Sequence, residues 1–176
     1  MIKKFKFIYI FLLLIFISET AYSLEPNIFI QSTVNRASQI LGDDISKSEK
    51  IEKLKIIATD TVDIKGIGFY TLGKFRKGLN DTEKKEYTKL FREYFLKSFS
   101  SRLAEYTNPK IDVQSQEKLN DKYTIVSSIL VATDTRPEIK IQWRVYTKDP
   151  DKPLIRDLII EGLSLARTQK EEFSSI

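Results

Sequence analysis

The spacing of apolar residues divides the chain into a helical first half and a stranded second half. Ile28, Val34, Ala37 and Leu41 follow Pro26 at near-helical intervals, and Gly42 ends the run. Ser46-Lys47-Ser48-Glu49 has the form of a capping box, and Ile51, Leu54, Ile57 and Ala58 supply the apolar face of the helix it opens. Residues 59–79 are less regular. Gly66, Gly68, Gly73 and Gly78 interrupt Val62, Ile64, Ile67, Phe69, Tyr70 and Leu72, which predicts one or two short helices with close backbone approach at the glycines. The strongest signal lies at 80–106. Asn80 can cap, Glu83 stands three residues on, and Tyr87, Leu90, Phe91, Tyr94, Phe95, Phe99 and Leu103 recur at three- and four-residue steps. This predicts a long amphipathic helix with a broad aromatic face.

The period then changes to two. Residues 110–119 alternate Ile111 and Val113 with polar partners, and 123–133 continue with Ile125, Ile129 and Val131. In 138–148, Ile139, Ile141, Trp143 and Val145 share one face against Lys140, Gln142, Arg144 and Tyr146 on the other. Residues 154–161 make a fourth, nearly apolar strand, and helical character returns over 163–173. The links are short and turn-like, so the strands should form an antiparallel meander. The expected fold is α+β: a four-stranded antiparallel meander covered on one face by the N-terminal helices and a C-terminal helix.

Composition narrows the chemistry. Of 176 residues, 41% are hydrophobic, enough for a core, and none is Cys or His. Disulfides, thiolate nucleophiles, Cys/His zinc sites and a histidine base are therefore excluded. The net charge of +5 is too mild to suggest a nucleic-acid partner. The acidic pairs Asp43-Asp44, Glu83/Glu86 and Glu171-Glu172 read as helix-start charge and solvated surface, because neighbouring residues do not face each other. No Walker A, GxGxxG or GxSxG motif occurs. Lys74, Arg76 and Lys77, and Lys140 with Arg144, form loose basic clusters. They read as solvated face or as attraction to anionic head groups or an acidic partner.

The first 23 residues read as an address. Lys3, Lys4 and Lys6 precede eleven apolar or aromatic residues at 7–17, and Ala21-Tyr22-Ser23 offers a cleavage site. The apolar run is shorter than the ~20 residues of a membrane-spanning helix. A cleaved signal peptide at 1–23, export, and one domain at 24–176 are expected. That domain carries a net charge of +3 (26 basic minus 23 acidic).

Two separated stretches carry a family resemblance. Asp157-Leu158-Ile159-Ile160-Glu161-Gly162-Leu163-Ser164-Leu165 resembles the D-V-x-I-E-G-V-S-L signature of the MlaC/toluene-tolerance family, with Phe173 near the end of the following helix. Leu72-Gly73-Lys74-Phe75, then Thr82-Glu83-Lys84-Lys85 and Phe91, resemble its L-G-x-x-W…T-x-x-Q-x…F pattern, and Tyr106 and Gln142-Trp143-Arg144 also fit. The sequence departs from the pattern at Phe75-Arg76, where a Trp is usual, and at 166–170, after the signature.

The resemblance implies a monomeric periplasmic carrier that shuttles phospholipid between outer and inner membranes and so maintains outer-membrane lipid asymmetry. Its implied partners are an inner-membrane ABC transporter with an MCE-type subunit and an outer-membrane lipoprotein–porin complex. It implies no catalysis and no cofactor beyond the carried lipid. Two tails of roughly 30 methylenes are worth about 24 kcal/mol on leaving water, so such a carrier needs an apolar slot. Its volume should lie toward the upper end of the ~300–1,000 Å³ range of ligand pockets. The slot is expected between the apolar face of the meander and the segments 62–72 and 87–103. The expected lining is Ile67, Phe69, Leu72, Phe91, Phe95, Phe99, Ile129, Ile141, Trp143, Val145, Leu158, Ile160 and Leu163. Two other readings compete with the carrier. An exported adaptor would show an exposed apolar patch and no slot. A small-ligand enzyme on a similar α+β cone would show a buried carboxylate of raised pKa in its cavity.

Overall fold

The structure, a computed structural model, describes residues 24–175. The expected signal peptide at 1–23 lies outside the described residues. Helix α1 (Pro26–Gly42) opens with Pro in its first turn, where no N–H is needed, and buries Phe29, Ile30, Val34 and Leu41. Helix α2 (Lys47–Thr61) starts in the anticipated capping box: Glu49 N–H donates to Ser46 Oγ at 3.2 Å and Ser46 N–H to Glu49 Oε2 at 3.0 Å. Helix α3 (Ile64–Thr71) is capped by Asp63, whose Oδ1 accepts from Gly66 N–H at 2.8 Å. A 3₁₀ turn, Gly73–Lys77, leads on toward α4 (Asp81–Leu103). Asn80 and Glu83 cap α4 reciprocally.

The sheet has the order β1-β2-β3-β4-β5, antiparallel throughout. Its strands are β1 (Ile111–Asn120), β2 (Tyr123–Leu130), β3 (Ile139–Tyr146), β4 (Leu154–Ile160) and β5 (Leu163–Ser164). The sequence reading missed the last of these. Glu161 and Gly162 take φ of +49° and +83°, a tight reversal that folds two residues back onto β4 before α5 (Leu165–Ser174) begins. Ser164 caps α5, accepting from Arg167 N–H at 3.1 Å.

Register decides which side chains face the helices. Ile141, Trp143 and Val145 of β3 face inward and sit opposite Ser128, Val126 and Thr124 of β2. Leu130 completes the inward face of β2 opposite Ile139. A register shift between Arg144 and Val145 lets Ile155 oppose Val145 and Leu158 oppose Trp143, although the two β4 residues are three apart. The buried Ser128 is satisfied twice: it accepts from Trp143 Nε1–H at 2.8 Å and donates to the Ile141 carbonyl at 3.3 Å.

Helices α1 and α2 pack on each other, and α1 lies on β1 and β2. The end of α2 is fastened to β4. Asp63 N–H donates to the Ile155 carbonyl at 2.9 Å, and the Asp63 carboxylate pairs with Arg156, whose guanidinium lies 4.6 Å from the centre of the Tyr146 ring. Helix α4 packs chiefly on α2 and α3 rather than on the sheet. It therefore spans a gap.

Candidate functional site

The gap under α4 is an apolar cavity of about 340 Å³. That volume lies at the lower end of the ~300–1,000 Å³ range of ligand pockets, not toward the upper end as expected. Its wall is built by period. Tyr87, Phe91, Phe95 and Phe99 recur every four residues, so their rings stack down one face of α4, with centroids 5.9, 6.2 and 5.3 Å apart. Phe173 of α5 meets Phe91 edge-on at 6.2 Å. Phe91, Phe95, Phe99 and Leu103 line the cavity from above, and Ile139, Ile141, Trp143, Leu158 and Ile160 line it from the sheet. Val34, Ala37 and Leu41 of α1 and Leu54, Ile57 and Ala58 of α2 supply further apolar lining.

Helix α4 comes close to α3 only because Gly68 has no side chain. A Cβ there would lie 2.8 Å from the Phe91 ring. Beside this contact Tyr87 shares a 2.8 Å hydrogen bond with Thr71, and burial raises the pKa of its hydroxyl above the ordinary value of 10.0.

The exposed members of the lining mark the mouth: Tyr94, Arg102 and Tyr106 on or just beyond α4, and Leu165, Thr168 and Glu172 on α5. Tyr94 Oη–H donates to Gln169 Oε1 at 3.1 Å and ties the two helices across it. One carboxylate in the lining, Asp157, is only 3% exposed. It is occupied within the fold, accepting from Ser164 Oγ–H at 2.6 Å and Ala166 N–H at 3.0 Å, with Arg144 Nη1 at 3.5 Å. Two neutral donors and a cation answer its charge, as a buried carboxylate requires.

Eight of the thirteen expected residues meet at this cavity: Ile67, Phe91, Phe95, Phe99, Ile141, Trp143, Leu158 and Ile160. Five do not. Phe69 and Leu72 lie about 200° and 140° around the helix axis from the buried Ile67, counting 100° per residue, and so turn away from the cavity. Ile129 sits on the outer face of the sheet, opposite Asp112 and Lys140. Val145 is fully buried, but in solid packing against Thr124 and Ile155 rather than at the cavity. Leu163, on the short edge strand, is 70% exposed. The reading from sequence also missed Arg102, Tyr106 and Asp157. The apolar faces of α1 and α2 were legible, but nothing in their spacing assigned them to a cavity.

Residues 31–176 match the model of the MlaC protein family. The chain belongs to the MlaC family. Among solved structures, the phospholipid-binding protein of Ralstonia solanacearum, determined in complex with a phospholipid, is similar to this MlaC-family chain with a TM-score of 0.71. The match covers 87% of each chain at 18% identity, so the likeness is one of fold. Among the described residues of this MlaC-family protein, no helix is long and apolar enough to cross a membrane.

Proposed function

We propose that this MlaC-family chain binds phospholipid, with the acyl tails in the cavity under α4 and the head group at the mouth between α4 and α5. The observation that carries the reading is the cavity itself. It is an apolar hollow left open in a core that is otherwise packed, with its exposed polar residues at the rim. The solved phospholipid complex of a protein with the same fold supports the same ligand class.

Size sets what the hollow takes as it stands. A cavity of about 150 Å³ accepts one six-carbon ring, so 340 Å³ scales to roughly 14 carbons. At about 0.8 kcal/mol per methylene this amounts to about 11 kcal/mol, close to one acyl chain. Enclosing two full tails requires the mouth to widen, and the seam between α4 and α5 is the place where one hydrogen bond, Tyr94 to Gln169, and two aromatic contacts, Phe173 with Phe91 and with Tyr94, hold the walls together.

We further read the protein as a carrier of one binding domain, residues 24–176, exported to the periplasm by a cleaved signal peptide at 1–23. It shuttles lipid as a monomer between an outer-membrane lipoprotein–porin complex and an inner-membrane ABC transporter with an MCE-type subunit, and performs no catalysis. The buried Asp157, which an enzyme reading would want as an acid or base, is instead engaged in fastening α5. Transfer of a fluorescent phospholipid between donor and acceptor vesicles tests the carrier reading. Transfer should rise in proportion to added protein, and transfer no faster than the spontaneous rate would refute it.

A further inference from the structure

The 3₁₀ turn between α3 and α4 is not accounted for by lipid enclosure. None of its residues is buried, and Phe75, at its centre, is 54% exposed. Lys74, Arg76 and Lys77 flank it in the sequence of the turn, all three exposed, with Lys74 Nζ 5.4 Å from the ring centre. Lys170 of α5 lies beside the start of the turn: its Nζ lies 5.1 Å from the centre of the Tyr70 ring, and its Cε is 3.2 Å from where a Cβ on Gly73 would stand. Among the described residues, none of these four cations has a carboxylate within 4.0 Å. The nearby acids at the start of α4 are engaged elsewhere, Asp81 with Lys84 at 3.6 Å and Glu83 with the Asn80 N–H at 2.7 Å. Residues 24–176 carry a net charge of only +3, so three unpaired cations within four consecutive residues, with Lys170 beside the turn and two exposed rings among them, are a local concentration of the available charge.

We propose that this turn, with Tyr70 and Lys170, is a docking site for an anionic lipid bilayer surface. Long lysines without fixed partners cannot select one carboxylate geometry, but they do match a plane of phosphates. An exposed Phe among them can enter the head-group layer, as aromatic residues do in interfacial anchors. The position also makes sense of the cavity. Helix α5 carries Lys170 beside the turn and Thr168, Gln169 and Glu172 in the cavity lining, so docking brings the mouth close to the surface. The charge contacts are few and exposed, so binding is brief and sensitive to salt.

The test uses the protein purified from cells and sedimentation with two kinds of vesicle: phosphatidylcholine alone, and phosphatidylcholine with about one-quarter phosphatidylglycerol. Binding should appear only with the anionic vesicles and disappear at high salt. Each cation near an anionic surface is worth about fivefold in partitioning, so the triple change K74Q/R76Q/K77Q should weaken binding about 100-fold. Phe75→Ser should weaken it by about tenfold through loss of apolar contact. Both variants change exposed side chains, and both should retain the wild-type far-ultraviolet circular dichroism and the wild-type amount of co-purified lipid. Equal binding by wild type and triple variant, or no binding to anionic vesicles at low salt, overturns the proposal. Binding to polyglutamate without binding to vesicles overturns it as well and makes the turn a protein-docking site. Because lipid content is measured separately, a failure of docking is distinct from a failure of the carrier reading.

Discussion

Ala58 provides a direct test of whether the hollow is used. It lines the cavity and is 2% exposed. Replacing it with Phe places a ring in the empty space. A single aromatic ring needs a cavity of about 150 Å³, roughly two-fifths of the 340 Å³ available. The ring then displaces about six methylenes of a bound tail. At about 0.8 kcal/mol each, the loss is about 5 kcal/mol, between three and four orders of magnitude in affinity. Protein stability should hold, because the ring fills a void instead of pushing packed atoms apart. In a filled core the same substitution would cost about 1–3 kcal/mol by overpacking. For a chain of this size that is a melting temperature lower by roughly 2–4 °C per kcal/mol. The assay pairs lipid exchange from labelled vesicles with thermal denaturation of stripped protein. Wild-type lipid affinity in the variant, or a clear drop in melting temperature with no change in lipid affinity, would refute the use of this space by the ligand.

Three further outcomes follow from contacts around the cavity. Ser128→Ala leaves the Trp143 indole N–H buried without a partner and should cost about 1–3 kcal/mol in urea denaturation; a cost no larger than that of an exposed Ser→Ala change would show the pair to be dispensable. Gly68→Ala drives a methyl to 2.8 Å from the Phe91 ring, and should lower stability by about 1–3 kcal/mol while shifting near-ultraviolet aromatic dichroism; a silent substitution would mean that α3 and α4 are not in close contact. Tyr87 ionises less readily in the folded chain than in the unfolded one, where its pKa is the ordinary 10.0. Its contribution is therefore whole below pH 10 and is lost as pH climbs toward and past the raised folded value. Urea midpoints measured across that interval should fall more steeply in wild type than in Tyr87→Phe, and equal slopes would contradict the burial of the hydroxyl.

The elements were easier to read from sequence than the site. Capping boxes at Ser46 and Asn80 marked helix starts because the side chains satisfy the orphan N–H groups within three residues, an interaction wholly local in sequence. The stack of Phe91, Phe95 and Phe99 was legible for the same reason. β2 misled because both of its faces carry isoleucine or valine, so alternation could not choose between Ile129 and Leu130. The structure turns Val126, Ser128 and Leu130 inward, where Ser128 meets the Trp143 N–H, and leaves Ile125, Ser127 and Ile129 on the outer face. β5 was invisible since two residues carry no period. Val145 shows a deeper limit: its spacing is indistinguishable from that of Trp143, yet one packs solidly and the other faces a void. A hollow depends on how far α4 stands from the sheet, and that distance is set by contacts among α2, α3 and α4 rather than by any pattern along one strand.

The central claim is that the hollow under α4 holds phospholipid tails. Native mass spectrometry of the protein purified under gentle conditions from its own cells tests this most directly. The predicted spectrum shows a complex heavier than the bare chain by the mass of one phospholipid, released on activation as an ion that fragments to fatty acids. A spectrum of bare chain alone, unchanged after incubation with phospholipid vesicles, would contradict the account.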